Sequence, residues 1–191
     1  MNDLLGKLEE TIWSIRGLAL LSINENILYI HHANIDNSYD EKKTKIYYII
    51  KIGETMNYNI LRENDIRGTY PQDINKEIAI RVGKAYGTYL KSHDEDSCII
   101  GHDNRLSSEE LNSGLIEGLL STGINITDIG LVTTPMLNYA CITRKEQNGI
   151  MITASHNQKE DNGFKIFGKD YLHLRREHLE EIYNLIKTEE F

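Results

Sequence analysis

The sequence predicts an α/β fold: a three-layer α/β/α domain around a mixed, mostly parallel sheet. Three observations carry this. Short apolar runs at 97–101, 126–132 and 149–153 alternate with segments of helical period. Strands separated by helices favour parallel pairing. The runs 149–153 and 164–167 stand close together, which implies one antiparallel neighbour and therefore a mixed sheet.

Taken in order, residues 58–62 read as a short strand. Asp73 is a plausible N-cap for a helix of about 74–91, with Ile78, Val82, Ala85 and Tyr89 at helical spacing. The run 97–101 is a short apolar strand. Ser107 and Glu110 have the S-x-x-E spacing of a capping box, and the following helix carries Leu111, Leu115 and Leu119 on one face. Gly123 suits the left-handed residue that ends it. Residues 126–132 form the next strand. Thr134-Pro135 reads as a cap followed by proline at the first helical position, and that helix runs to about Lys145. Residues 149–153 are a strand, Asn162-Gly163 a turn, and 164–167 the returning strand. A last amphipathic helix over about 174–187 buries Leu179, Ile182, Tyr183 and Ile186.

Composition bounds the function. With 40% hydrophobic and 26% charged residues, the chain has a globular balance. Its formal net charge of −8 repels phosphate backbones, which argues against nucleic acid as a partner. No stretch reaches the roughly 18 apolar residues of a spanning helix, so no membrane partner is expected. The start, Met1-Asn2-Asp3, lacks the basic region of a signal peptide. Cys98 and Cys141 sit in apolar runs without metal-ligand spacing and read as buried reduced thiols. Together these point to a cytoplasmic protein. Residues 1–55 carry Asn- and Lys-rich stretches and no motif, and read as an extension of unknown role. Residues 56–191 read as the α/β/α domain.

In such sheets ligands gather at the carboxyl ends of strands. The loop Thr153-Ala154-Ser155-His156-Asn157 puts a hydroxyl there, among small polar residues that can present N–H groups to an anion. Lys165, in Asn162-Gly163-Phe164-Lys165, returns a cation ten residues later. A phosphorylated serine needs such a partner, since its phosphate carries roughly −1.5 to −2 charges near neutral pH. The plain alternative is a polar loop whose side chains satisfy backbone groups, and spacing alone leaves both open. A hydrolase nucleophile is disfavoured: the G-x-S-x-G elbow is absent, and His156, adjacent in sequence, is poorly placed as a base for Ser155. Asp65-Ile66-Arg67-Gly68 and the segment 101–107 each set an arginine beside an aspartate and a glycine. Arginine suits bidentate phosphate binding. For Arg105 the stronger reading is an Asp–Arg pair that braces its loop.

In this order the pieces resemble the α-D-phosphohexomutases, the phosphoglucomutase/phosphomannomutase family. That family's first domain carries a YDIRG-like segment, then G-x-D-x-R-x-S, then T-A-S-H-N-P with N-G-x-K downstream. Here stand Asn64-Asp65-Ile66-Arg67-Gly68, then Gly101 to Ser107, then TASHN at 153–157 and NGFK at 162–165. NGFK with the DIRG form looks closer to the phosphoglucomutase/phosphomannomutase branch than to phosphoglucosamine mutases. The resemblance implies a phosphate carried on Ser155 and passed to a hexose 1- or 6-phosphate through a bisphosphate. It implies roles for Lys165 in proton transfer, for Arg67 near the phosphoserine and for His156 beside it. It adds Asn157, Thr153 and Arg105 as phosphate- or substrate-binding candidates. It further implies Mg²⁺ held through the Ser155 phosphate, a glucose 1,6-bisphosphate-type activator, and the remaining mutase domains in cis or in trans as partners.

Departures accompany it. Gln158 replaces the proline after TASHN, and Asn64 the tyrosine of YDIRG. The family's D-G-D-x-D-R metal loop, its sugar-reading G-E-x-S-G-H loop and its R-x-S-G-T phosphate loop are absent from the 191 residues. The expectation is therefore little or no turnover from this chain alone, and an apolar patch near Ser155 or on the last helix. The competing expectation, motivated by Gln158 and Asn64, is a phosphosugar- or anion-binding remnant that no longer transfers phosphate.

Overall fold

The structure is a computed structural model that describes residues 18–24, 27–33, 47–51, 56–144, 148–168 and 173–191. The chain divides into two compact units, 1–55 and 56–191. In the first, β1 (Leu18–Asn24), β2 (Ile27–Ala33) and β3 (Tyr47–Lys51) form an antiparallel sheet in chain order.

The second unit holds β4 (Ile66–Thr69), α1 (Lys76–Ser92), β5 (Ser97–His102), α2 (Ser108–Ser121), β6 (Asn125–Leu131), α3 (Thr134–Arg144), β7 (Gly149–Ile152), β8 (Asp161–Phe167) and α4 (Arg176–Thr188). Its sheet has the order β4-β8-β7-β5-β6. β5 pairs in parallel with β6 and β7, while β8 pairs antiparallel with both β7 and β4. Four strands therefore share one direction and β8 alone opposes them, the mixed and mostly parallel sheet expected.

Both faces of this sheet are covered, which explains the continuous apolar runs Cys98 to Ile100 in β5 and Ile150 to Ile152 in β7. Ile100, Ile150, Ile152, Phe164 and Ile166 join the main core with Val82, Tyr86, Leu111, Leu115, Leu119 and Ile182 from α1, α2 and α4. Ile99, Met151 and Phe167, offset by one residue, point the other way and meet Leu137 and Cys141 of α3. Leu111, Leu115 and Leu119 are fully buried, each contributing roughly 2 kcal/mol of transfer free energy. The α1–α2 contact is close because it runs over glycine. A Cβ added to Gly118 would lie 2.3 Å from the Ile80 carbonyl oxygen. Leu179, Ile182, Tyr183 and Ile186 are buried as expected, and Gly123 ends α2 with φ of 77°.

Several local expectations are corrected. Residues 58–62 are not a strand. Tyr58–Ile60 is a 3₁₀ turn capped by Asn57, and Leu61 alone bridges to Ile66. The strand belongs instead to the Ile66–Thr69 segment. Asn75, not Asp73, caps α1, its Oδ1 accepting from Ile78 N at 3.0 Å; Asp73 accepts from Thr69 N at 3.1 Å. Ser107 makes no capping bond, and Glu110 accepts from the Tyr70 hydroxyl at 2.6 Å, so no capping box forms. The first carbonyl to accept in α3 is that of Thr133, one residue earlier than expected, and Pro135 lies within the first turn, where its missing N–H leaves no helical bond unmade. Asn162 and Gly163 lie inside β8. A Cβ on Gly163 would stand 2.1 Å from the Ile66 carbonyl oxygen, so this glycine lets β4 approach.

Exposed apolar side chains gather at Leu131, Met136, Tyr139 and Ile142, on β6 and α3 rather than on the last helix. No helix among the described residues is long and apolar enough to cross a membrane.

Candidate active site

β7 delivers the chain to the carboxyl end of the sheet, and Thr153 to Asn157 turn it back. Thr153 is buried and keeps strand contact, its N–H donating to the Gly163 carbonyl at 2.9 Å. Its hydroxyl donates to Asp103 Oδ2 at 2.7 Å and accepts from the Ser155 N–H at 2.9 Å. The Asn157 N–H donates to the Ala154 carbonyl at 3.1 Å and closes a tight turn with Ser155 at its first corner. Ser155 sits there with φ of 58°, in the left-handed region that costs a non-glycine residue of the order of 1 kcal/mol or more. Ser155 and His156 are both exposed. The serine is thus held in an unfavourable backbone state with its side chain in solvent, a combination that clusters at functional sites.

What holds it is Arg105. Nε donates to Asp103 Oδ2 at 3.1 Å. Nη1 donates to the Asp161 carbonyl at 2.9 Å and to that of Gln158, and Nη2 to those of Ser155 and Asn157 at 3.1 and 2.9 Å. Every N–H of the guanidinium is spent, four on carbonyls between Ser155 and Asp161 and one on Asp103. The side chain braces the loop, as the Asp–Arg reading of Arg105 expects, its charge balanced by Asp103. Thr153 is likewise committed at its hydroxyl, as donor to Asp103 and acceptor from Ser155 N–H, and so positions the turn.

Asp103, which the sequence offers only as Arg105's partner in a brace, is the hub. Besides Thr153 and Arg105 Nε it accepts from the Arg105 N–H at 3.1 Å and from the Ser108 hydroxyl at 2.9 Å. Fully buried Asn162 donates to Ser107 Oγ at 2.8 Å and accepts from Gly163 N at 2.8 Å, tying β8 to the start of α2. The signal lay in the G-x-D-x-R-x-S spacing: aspartate, arginine and serine at 103, 105 and 107 come off the end of β5 together.

Arg67 reaches the same turn from β4. Its Nη1 donates to Asn157 Oδ1 at 2.8 Å, its Nη2 bonds Asp65 Oδ2, and its buried Nε has no partner among the described residues. Asn157 in turn donates to Asp161 Oδ2 at 2.6 Å. In register Arg67 stands opposite Gly163, and Lys165 opposite Met151. Residues two apart on β8 share a face, so Arg67 and Lys165 rise from one face of the sheet, the face that carries Met151 and Phe167. Lys165 and His156 make no hydrogen bond or ion pair among the described residues. Near Lys165, the His173 ring lies tilted against Phe167 with ring centroids 4.7 Å apart. Burial against that ring, and then the Lys165 charge, lower its pKa below the usual histidine value.

Of the two departures, Gln158 serves Arg105 through its backbone carbonyl, an acceptor that proline would also offer. Asn64 is exposed on a bend beside Asp65. Among the described residues no group of three His, Cys, Asp or Glu donors gathers at Ser155. Asp103 is occupied by its four donors and Asp161 by Asn157 and Thr69. The chain's own carboxylates therefore do not fit Mg²⁺ at this turn.

The motif order and this geometry agree with comparisons to known proteins. The family described as phosphoglucomutase/phosphomannomutase, alpha/beta/alpha domain I, matches residues 59–191. The phosphoglucosamine mutase of Limosilactobacillus reuteri is 41% identical over 128 residues, covering 65% of this chain and 28% of that protein. The phosphomannomutase/phosphoglucomutase of Pseudomonas syringae pv. tomato is 40% identical over 129 residues, covering 68% and 28%. Relatives of both branches thus match equally well, and the leaning toward one branch gains nothing from them. The crystal structure of a phosphoglucomutase/phosphomannomutase family protein from Burkholderia thailandensis superposes with a TM-score of 0.64 at 25% identity, covering 71% of this chain and 31% of that one. The chain spans less than a third of the length of these relatives. With the family matched across its second unit, the chain belongs to the phosphoglucomutase/phosphomannomutase family of phosphohexomutases, of which it carries domain I.

Proposed function

We propose that Ser155 is the phosphoryl carrier of a phosphohexomutase, and that residues 56–191 act as its first domain in interconverting hexose 1-phosphate and hexose 6-phosphate. The observation that carries the reading is the exposed Ser155 corner, at positive φ and braced by Arg105 through its own carbonyl and that of Asn157. Phosphoryl transfer asks the protein for positioning and charge neutralisation more than for covalent chemistry. A rigid serine with the Arg67 and Lys165 cations on one adjoining sheet face supplies both.

In the step envisaged, a sugar hydroxyl oxygen forms a bond to phosphorus as the Ser155 Oγ–P bond breaks. The hydroxyl proton leaves and Ser155 Oγ gains one, so the serine is regenerated beside a hexose bisphosphate. His156, exposed next to the carrier, and Lys165 are the candidates to hold those protons; Arg67 and Asn157 are the candidates to orient the phosphate. Mg²⁺ would meet this chain through the Ser155 phosphate alone, with carboxylate ligands from elsewhere. Hexose phosphate, a glucose 1,6-bisphosphate-type activator and the remaining mutase domains complete the reading, with the work done in the cytoplasm. Without those domains we expect little or no turnover.

The test is intact-mass analysis after incubation with glucose 1,6-bisphosphate and Mg²⁺, with the missing domains supplied in trans. One added phosphoryl group, absent in Ser155→Ala, is expected. No gain on a folded chain would favour a phosphosugar-binding remnant instead.

A further inference from the structure

A second constellation lies at the other end of the sheet, where α1 runs into β5. His93 directly follows α1, and His178 and Glu181 stand three residues apart on α4 and therefore share one face of it. His93 Nδ1 lies 2.9 Å from the Tyr89 carbonyl oxygen. A carbonyl only accepts, so the proton sits on Nδ1 and Nε2 presents its lone pair outward. A histidine oriented by a backbone carbonyl at its far nitrogen is the usual arrangement of a metal ligand. That Nε2 lies 3.9 Å from Glu181 Oε2. The His178 ring meets the His93 ring edge-on, with centroids 5.8 Å apart. One donor atom from each of the three residues lies within 4.8 Å of the others. A cleft of about 350 Å³ opens beside them, lined also by Glu95 and Asn148.

We propose that His93, His178 and Glu181 bind a divalent transition-metal ion, Zn²⁺ foremost, at a site separate from the Ser155 turn. Two imidazoles and one carboxylate are a donor set that Zn²⁺ takes with a water in the fourth position, whereas Mg²⁺ prefers oxygen alone. Tetrahedral donors at Zn²⁺ distances stand about 3.4 Å apart. Partly exposed His178 and exposed Glu181 can close the remaining gap by turning their side chains. The ion would fasten α4 to the end of α1. Because those ligands assemble only in the folded chain, binding would raise its stability.

The experiment titrates the metal-free 191-residue chain with ZnCl₂ by calorimetry and with Co²⁺ by visible absorption. Expected are about one ion per chain, the intense band of tetrahedral Co²⁺, and a melting temperature raised by Zn²⁺. Loss of an outer-shell partner typically costs about 10- to 100-fold in affinity, so His93→Gln and His178→Gln should each cost at least about tenfold. Glu181→Gln, at an exposed position, should weaken binding without any change in the circular dichroism spectrum; Ser155→Ala should leave binding as it was. Absence of saturable binding, or binding retained by the His93→Gln/His178→Gln double variant and lost on changing His31 and His32, would overturn the proposal.

Discussion

Arg105 donates to the carbonyl oxygen of Ser155 at 3.1 Å, from a guanidinium whose other N–H groups hold Asp103, Asn157, Gln158 and Asp161. The arginine thus encloses the turn from within, and the serine's strained corner is an outcome of that grip. A lysine cannot reproduce it, because one ammonium with three donors cannot reach four carbonyls and a carboxylate at once.

Arg105→Lys is accordingly expected to destabilise the domain by about 1.5–3 kcal/mol, the range for a hydrogen bond to a charged group. Residues 154–158 should also lose protection in hydrogen exchange. Chemical denaturation and exchange mass spectrometry check this. A variant as stable as the parent, with the turn still protected, would show that the brace is decorative.

This brace marks where sequence reading succeeded and where it stopped. The sheet, its mixed character and the buried faces of α2 and α4 were legible because Leu111, Leu115 and Leu119, or Leu179, Ile182 and Ile186, repeat at the helical period. The strand at Ile66–Thr69 was missed since it is four residues long and contains Gly68, which reads as a turn unless its partner is known. The glycine at 163 misled in the same way: it is there so that β4 can approach. Asp103 and Asn162 were overlooked as functional residues. Their importance lies in partners some fifty residues away, which local pattern does not reveal. The motif residues at 153–157 were legible as a site, but their division into ligand-facing and scaffold groups was not.

Position 155 separates stability from function. Glycine reaches φ of 58° without the Cβ penalty, so Ser155→Gly should match or exceed the parent in stability, by up to about 1 kcal/mol. Ser155→Ala keeps the Cβ and should bring no such gain. Both should abolish phosphorylation at this site. Paired denaturation curves decide it: an alanine variant clearly more stable than the glycine one would mean the turn does not strain this residue.

The last prediction concerns pH. His173 has its pKa lowered from the ordinary 6.5 by burial against Phe167, then by the Lys165 charge, with Asp65 acting weakly the other way. Between that lowered value and 6.5 the unfolded chain binds more protons than the folded one, so stability rises with pH through this window and falls as acid is added. The effect should be modest, since His173 is exposed and solvent screens it. His173→Gln should flatten this part of the stability profile. Lys165→Met, by removing the nearby cation, should let the His173 imidazole titrate higher in an NMR titration. Identical slopes in parent and His173→Gln, together with an unmoved His173 titration in Lys165→Met, would separate this histidine from the cation that shares its face of the sheet.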